Sequence, residues 1–160
     1  MKRPSEAAFG AALRAIDDDL PVVVYRLPDP KSGAGVSNWK PCDYMVWALP
    51  AYMSVAPDVA WFECKDTKQI DRFPLRDIRP AQWQGVREAT HVGIPYWLAV
   101  YWQRHHSWTI SDLAKLQLSW ADGNPPTSFL REDLMSRYGI QSDPAHLSST
   151  LKSILAGEVR

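Results

Sequence analysis

Glu63 and Lys65 close an apolar run in "VAWFECKDTK", residues 59–68, setting an acid and a base two positions apart. In an extended strand Val59, Trp61, Glu63 and Lys65 share one face, and Ala60, Phe62 and Cys64 the other. The carboxylate and the ammonium are then same-face neighbours, about 7 Å apart at Cα. Asp43 opens an earlier apolar stretch, "DYMVWAL" (43–49), 20 positions before Glu63. Antiparallel pairing of the two stretches brings its carboxylate beside Glu63. Two carboxylates and a lysine at one end of a sheet make a hard-oxygen site for Mg²⁺, and the lysine can orient a metal-bound water.

A plainer reading stands beside this one, because a charged strand end can simply face water. The pattern (D/E)xK occurs three times, at Asp29–Lys31, Glu63–Lys65 and Asp66–Lys68. Only the second is presented by a strand, since Asp29 precedes Pro30 in a loop and Asp66 lies past the apolar run. Glu6 extends the apolar stripe of the first helix backwards, where an acid needs a partner or a metal. Its alternative role is a first-turn acid that favours the helix N-terminus. Lys68, Arg72, Arg76 and Arg79 follow closely, and guanidiniums suit phosphates.

These groups need a scaffold. Phe9, Leu13, Ile16 and Leu20 recur at helical spacing and predict a helix over 5–20 with Ser5 as N-cap. "PVVVYRL" (21–27) is continuous and β-branched, which predicts a strand covered on both faces. A Pro, Gly and Ser-rich loop (28–41) holds Lys31, Trp39 and Lys40. Strands follow at 43–49 and 58–65. Pro80 opens a helix carrying Gln82, Trp83, Val86 and Ala89 toward Gly93. "IPYWLAVYW" (94–102) reads as a central strand and "SWTI" (107–110) as its neighbour, with Ser111 capping a short helix. After the break at "DGNPP" (122–126), short helices are expected near 128–138 and 147–156, with Gly139 as a terminator. The order is that of an α/β domain on a mixed sheet with a helical C-terminal extension. Three successive strands without crossover helices exclude a doubly wound sheet.

Composition bounds the rest. A chain of 160 residues with 46% apolar and 22% charged residues is expected to build one core. No apolar run is long enough to span a bilayer, and no apolar segment follows the charges at the start, so a cytoplasmic protein without membrane contact is expected. Cys42 and Cys64 show no metal-binding spacing and are expected to be reduced. The 18 basic and 18 acidic residues balance, so nucleic-acid binding has to rest on local clustering. His91, His105, His106 and His146 show no ligand pattern.

"PCD", then "WFECKDTK", then "FPLRDIRPAQ" resembles the RecU-like and Hjc-type Holliday junction resolvases of the PD-(D/E)xK nuclease superfamily. The positions that carry it are Asp43, Glu63, Lys65, Thr67, Phe73-Pro74-Leu75, Ile78 and Gln82, within residues 5–102. The chain departs from that pattern with Ala81 before Gln82, where His is frequent, and with the insert "PAYMSVAP". The resemblance implies a restriction-endonuclease-like mixed central sheet flanked by helices. Residues 1–121 would form the nuclease core, with 28–41 as a stalk-like loop. Residues 122–160 would be a helical extension packed on the core or on a dimer partner.

The resemblance also implies a homodimeric endodeoxyribonuclease making paired nicks in four-way DNA junctions, in a bacterial cell or a phage-infected host. Asp43, Glu63 and the Cys64 carbonyl would hold Mg²⁺, with Mn²⁺ able to substitute. Lys65, Gln82 and Glu6 would complete the catalytic group. Lys31, Trp39, Lys40, Thr67, Lys68, Arg72, Arg76 and Arg79 would contact DNA. Trp39 either stacks in the open junction or packs under its own loop or at the dimer interface. The alternatives are a restriction-type or replication-linked endonuclease of the same superfamily, and a DNA-structure-binding protein that does not cut.

Overall fold

Apolar stretches that follow one another without a helix pair most simply as a meander. In the computed structural model, which describes residues 4–17, 20–28, 40–48, 59–118, 126–136 and 139–158, the first three strands do so. After α1 (Pro4–Asp17), β1 (Val22–Arg26), β2 (Tyr44–Ala48) and β3 (Val59–Thr67) run antiparallel, with Val24 opposite Val46 and Tyr44 opposite Phe62. Then β4 (Arg72–Pro74), a single 3₁₀ turn (Leu75–Asp77) and α2 (Pro80–His91) carry the chain back over the sheet. As a result β5 (Tyr96–Trp102) lies parallel to β3, with Cys64 opposite Ala99. β6 (Ser107–Asp112) returns antiparallel to β5, and α3 (Leu113–Leu118) follows it.

The C-terminal part adds strands as well as helices. β7 (Ser128–Leu130) pairs with β4, α4 (Arg131–Ser136) follows, and β8 (Gly139–Ser142) adds to the edge of the main sheet beside β6. α5 (Leu147–Leu155) closes the described fold. Among the described residues, the central sheet has six strands in the order β1-β2-β3-β5-β6-β8. The chain is thus a mixed α/β fold, a sheet with helices on both faces. No helix among the described residues is long and apolar enough to cross a membrane.

Period-2 alternation divides the core. Ala60, Phe62 and Cys64 of β3 face Phe9, Leu13 and Ile16 of α1 and Leu151 of α5. Trp61 faces the other way, with Val86 and Ala89 of α2, Leu113 and Leu116 of α3 and Leu134 of α4. The buried strand tryptophans divide likewise, Trp97 and Trp108 to the first face, Trp61 and Trp102 to the second.

Several local expectations are corrected. Among the described residues β1 is the sheet's edge rather than a strand covered on both faces, with Val23 47% and Tyr25 50% exposed. Ser5 does not cap α1; it lies within the helix and its hydroxyl donates to Asp66 Oδ2 at 3.0 Å. Asp112, not Ser111, receives the first amides of α3, from Ala114 at 3.0 Å and Lys115 at 3.2 Å. Ser111 belongs to β6 and donates to the Leu134 carbonyl. Gly139 starts β8 instead of ending a helix, and a Cβ there would collide with the Ile110 carbonyl oxygen. These differences share a cause: which strand is an edge, and which polar group has a partner, depends on distant chain.

Candidate active site

The register that pairs Tyr44 with Phe62 sets Asp43 beside Glu63 at the mouth of β2 and β3. Asp43 is anchored there: its backbone N–H donates to the Phe62 carbonyl at 3.0 Å, and its Oδ2 accepts the Cys64 N–H at 2.9 Å. Its other oxygen, Oδ1, lies 2.7 Å from the Lys40 ammonium. Lys40 is only 5% exposed, so the residue expected at the end of a DNA-facing loop is turned into the site.

Glu63 and Lys65 point to the α2 face, as alternation requires. Lys65 Nζ lies 2.9 Å from Glu63 Oε1 and donates to Gln82 Oε1 at 3.0 Å. Gln82 Nε2 donates back to Glu63 Oε1, closing a three-membered ring of contacts. The amide orientation is forced, because its oxygen faces donors and its nitrogen faces a carboxylate.

α2 is built to place Gln82. Pro80 occupies the first helical position, where its missing N–H costs nothing, and Arg79 is the extended N-cap. The Gln82 oxygen also accepts the Arg79 N–H at 2.8 Å, so the same side chain caps the helix and reaches the site. The helix lies close to the segment before Asp43: a Cβ on Gly85 would sit 2.7 Å from Pro41 Cβ. On the sheet side, the Tyr96 hydroxyl donates to the Pro41 carbonyl.

Electrostatics follow from burial. Glu63 is 1% exposed, and burial pushes its carboxyl up from an ordinary 4.5 to about 7. Lys65 opposes that rise and the Asp43 carboxylate adds to it. Burial first, then Glu63 and Asp43, push the Cys42 thiol up, and burial with the same two acids does so at Cys64. Both cysteines are free and buried, so they stay as thiols.

Among the described residues this donor set leaves one oxygen open to a divalent cation, since both Asp43 oxygens and Glu63 Oε1 already have partners. Glu63 Oε2 is buried with no hydrogen-bond partner among the described residues, an expensive state for a carboxylate oxygen. Hard oxygens suit Mg²⁺. Two buried carboxylates face two buried ammoniums, so Lys40 stands on Asp43 where a cation would otherwise compensate the charge.

The chain is similar to a solved structure, Hjc of Archaeoglobus fulgidus, a Holliday junction resolvase from an archaeal hyperthermophile. The identity is 18% and the TM-score 0.50, over 84% of this chain and 93% of that one. The two proteins share a fold. No family model and no curated protein matches the chain.

Against that fold the remaining expected residues separate. Glu6 does not join Asp43 and Glu63: its Oε1 is held by Arg26 Nη2 at 2.7 Å and Nε at 3.1 Å. α1 packs on the face away from Glu63, and no three His, Cys, Asp or Glu side chains among the described residues converge on a metal position. Thr67 is buried and accepts the Gln69 N–H at 3.1 Å, which shapes the turn after β3 and faces no open surface. Lys68, Arg72, Arg76 and Arg79 are all exposed. Lys31 and Trp39 lie outside the described residues. Two participants were not foreseen: Arg26 as the partner of Glu6, and Lys40 as the partner of Asp43. The spacing of three between Lys40 and Asp43 was the available signal.

Proposed function

We propose that this chain is a metal-dependent structure-specific endodeoxyribonuclease, a Holliday junction resolvase that nicks four-way DNA junctions in symmetric pairs. The observation that carries the reading is the buried Asp43–Glu63–Lys65–Gln82 cluster at one end of a sheet whose fold is shared with a resolvase. Asp43 and Glu63, with the Cys64 carbonyl, would hold Mg²⁺ or Mn²⁺. Such an ion supplies Lewis-acid stabilisation of charge on a phosphoryl oxygen.

The chain's own residues do the positioning. Gln82 holds Glu63 and Lys65 in one geometry, which limits the reorganisation needed when a phosphodiester arrives. Lys65 spends two of its three N–H donors on Glu63 and Gln82, leaving one for a water or a phosphate oxygen. Lys68, Arg72, Arg76 and Arg79 form an exposed cationic series suited to backbone phosphates. Since net charge is zero, this local series makes binding salt-sensitive. Two copies acting together would deliver the two nicks.

The test compares a labelled four-way junction with a matched linear duplex, in Mg²⁺ or in EDTA. Paired nicks in the junction alone, only with Mg²⁺, are expected. Equal cutting of the duplex would make the protein another endonuclease of the superfamily. Tight junction binding without cutting in any metal would make it a binding protein.

A further inference from the structure

We propose that a cavity beside α2, lined by Arg76, Trp83 and Arg87, binds an unpaired nucleotide of a DNA strand. This rests on the reading of the chain as a DNA-acting protein and names a feature of the substrate it would prefer. The cavity has a volume of about 580 Å³, with Leu75, Ile78 and Pro80 as its apolar floor. That lies inside the range of about 300–1,000 Å³ in which small ligands are held.

Four observations select the occupant. Trp83 and Arg87 are one helical turn apart on α2, so the indole and the guanidinium lie on the same side of the helix. Arg76 comes from the 3₁₀ turn before α2, and both arginines are exposed. The described lining residues bring two guanidiniums, which suit an anion. A phosphate suits the two guanidiniums, and a nucleobase suits an indole beside an apolar floor. Placement adds the last reason. Trp83 follows Gln82, which touches Glu63 and Lys65 from the buried side of the same helix turn. A strand lying over the start of α2 can therefore reach the catalytic cluster and leave one unpaired nucleotide in the cavity. A fully paired duplex has no base free to enter, so the cavity recognises disrupted pairing rather than sequence.

The test is equilibrium binding in EDTA, by anisotropy of a fluorescein-labelled (dT)12 single strand and a labelled paired duplex. The proteins are the full chain, Trp83→Leu, and the double variant R76Q/R87Q. The full chain should bind (dT)12 more tightly than the duplex, and Trp83→Leu should weaken (dT)12 binding about tenfold with little change on duplex. R76Q/R87Q should weaken (dT)12 binding at least as much. As both arginines are exposed, that variant tests the idea even if Trp83→Leu fails to fold. A (dT)12 affinity within twofold of the parent in folded R76Q/R87Q would overturn the proposal. Because no metal is present, failure here leaves the nuclease reading standing. Loss of junction cleavage by the parent, with this binding pattern intact, would sink the nuclease reading alone.

Discussion

At the scale of single residues, the site is a balance of buried charges, and its members can be separated by what each removal exposes. Lys40 neutralises Asp43 from inside the protein. Lys40→Met should therefore lower the stability of the metal-free protein by about 3–5 kcal/mol, the cost of stranding a buried charge. If the cluster holds a metal as proposed, Lys40→Met should also enlarge the stabilisation by Mn²⁺, since the ion would no longer compete with an ammonium. Thermal melts in EDTA and in Mn²⁺ check both; equal metal-induced shifts in parent and variant would remove Lys40 from the metal's path. Glu63 gives a pH signature. Its carboxyl is raised from 4.5 to about 7, so the folded protein holds that proton more tightly than the unfolded chain. The stability this contributes is complete below about pH 4.5 and is lost as pH rises through about 7. Melting temperature in EDTA should show this fall, and Glu63→Gln should flatten it.

At the scale of elements, the decisive contact is between α2 and the segment that leads to Asp43. Gly85 permits it, with Pro41 Cβ 2.7 Å and the Pro41 carbonyl oxygen 2.9 Å from where a Cβ would be. In an open helix, Gly→Ala stabilises by up to about 1 kcal/mol. Here overpacking of about 1–3 kcal/mol opposes that gain and should win. Gly85→Ala is expected to lower the urea midpoint and, on the proposed function, to reduce junction cleavage as Asp43 and Gln82 are pushed apart. A raised midpoint would show that Pro41 yields freely. Gln82 explains why this spacing matters, because it caps α2 and grips Glu63 with one side chain.

At the scale of the whole molecule, the C-terminal segment belongs to the core. β8 extends the central sheet beside β6, and α5 packs on α1 through Leu151, which is fully buried. Leu151→Ala should cost about 2–5 kcal/mol in chemical denaturation, the range for a large buried side chain. A chain ending at residue 138 would expose the edge of β6 and the apolar side of α1. It should aggregate or remain unfolded, which solubility and circular dichroism would show. A soluble, folded truncation would instead make that segment an appendage.

The local part of this architecture was readable from residue order. Alternation placed Glu63 and Lys65 together on one face, and the meander of short-connected strands brought Asp43 opposite Glu63, because strand periodicity is a property of neighbouring residues. The resemblance placed Gln82 near them, and Pro80 announced the helix that carries it. Tertiary structure alone decided the partners. Lys40 turned inward onto Asp43, Arg26 took up Glu6, and β8 joined the sheet from far along the chain. Each outcome depends on which face a helix covers and which strand is an edge. Those are set by packing between segments distant in sequence, and a buried charge takes whatever partner that packing leaves within reach.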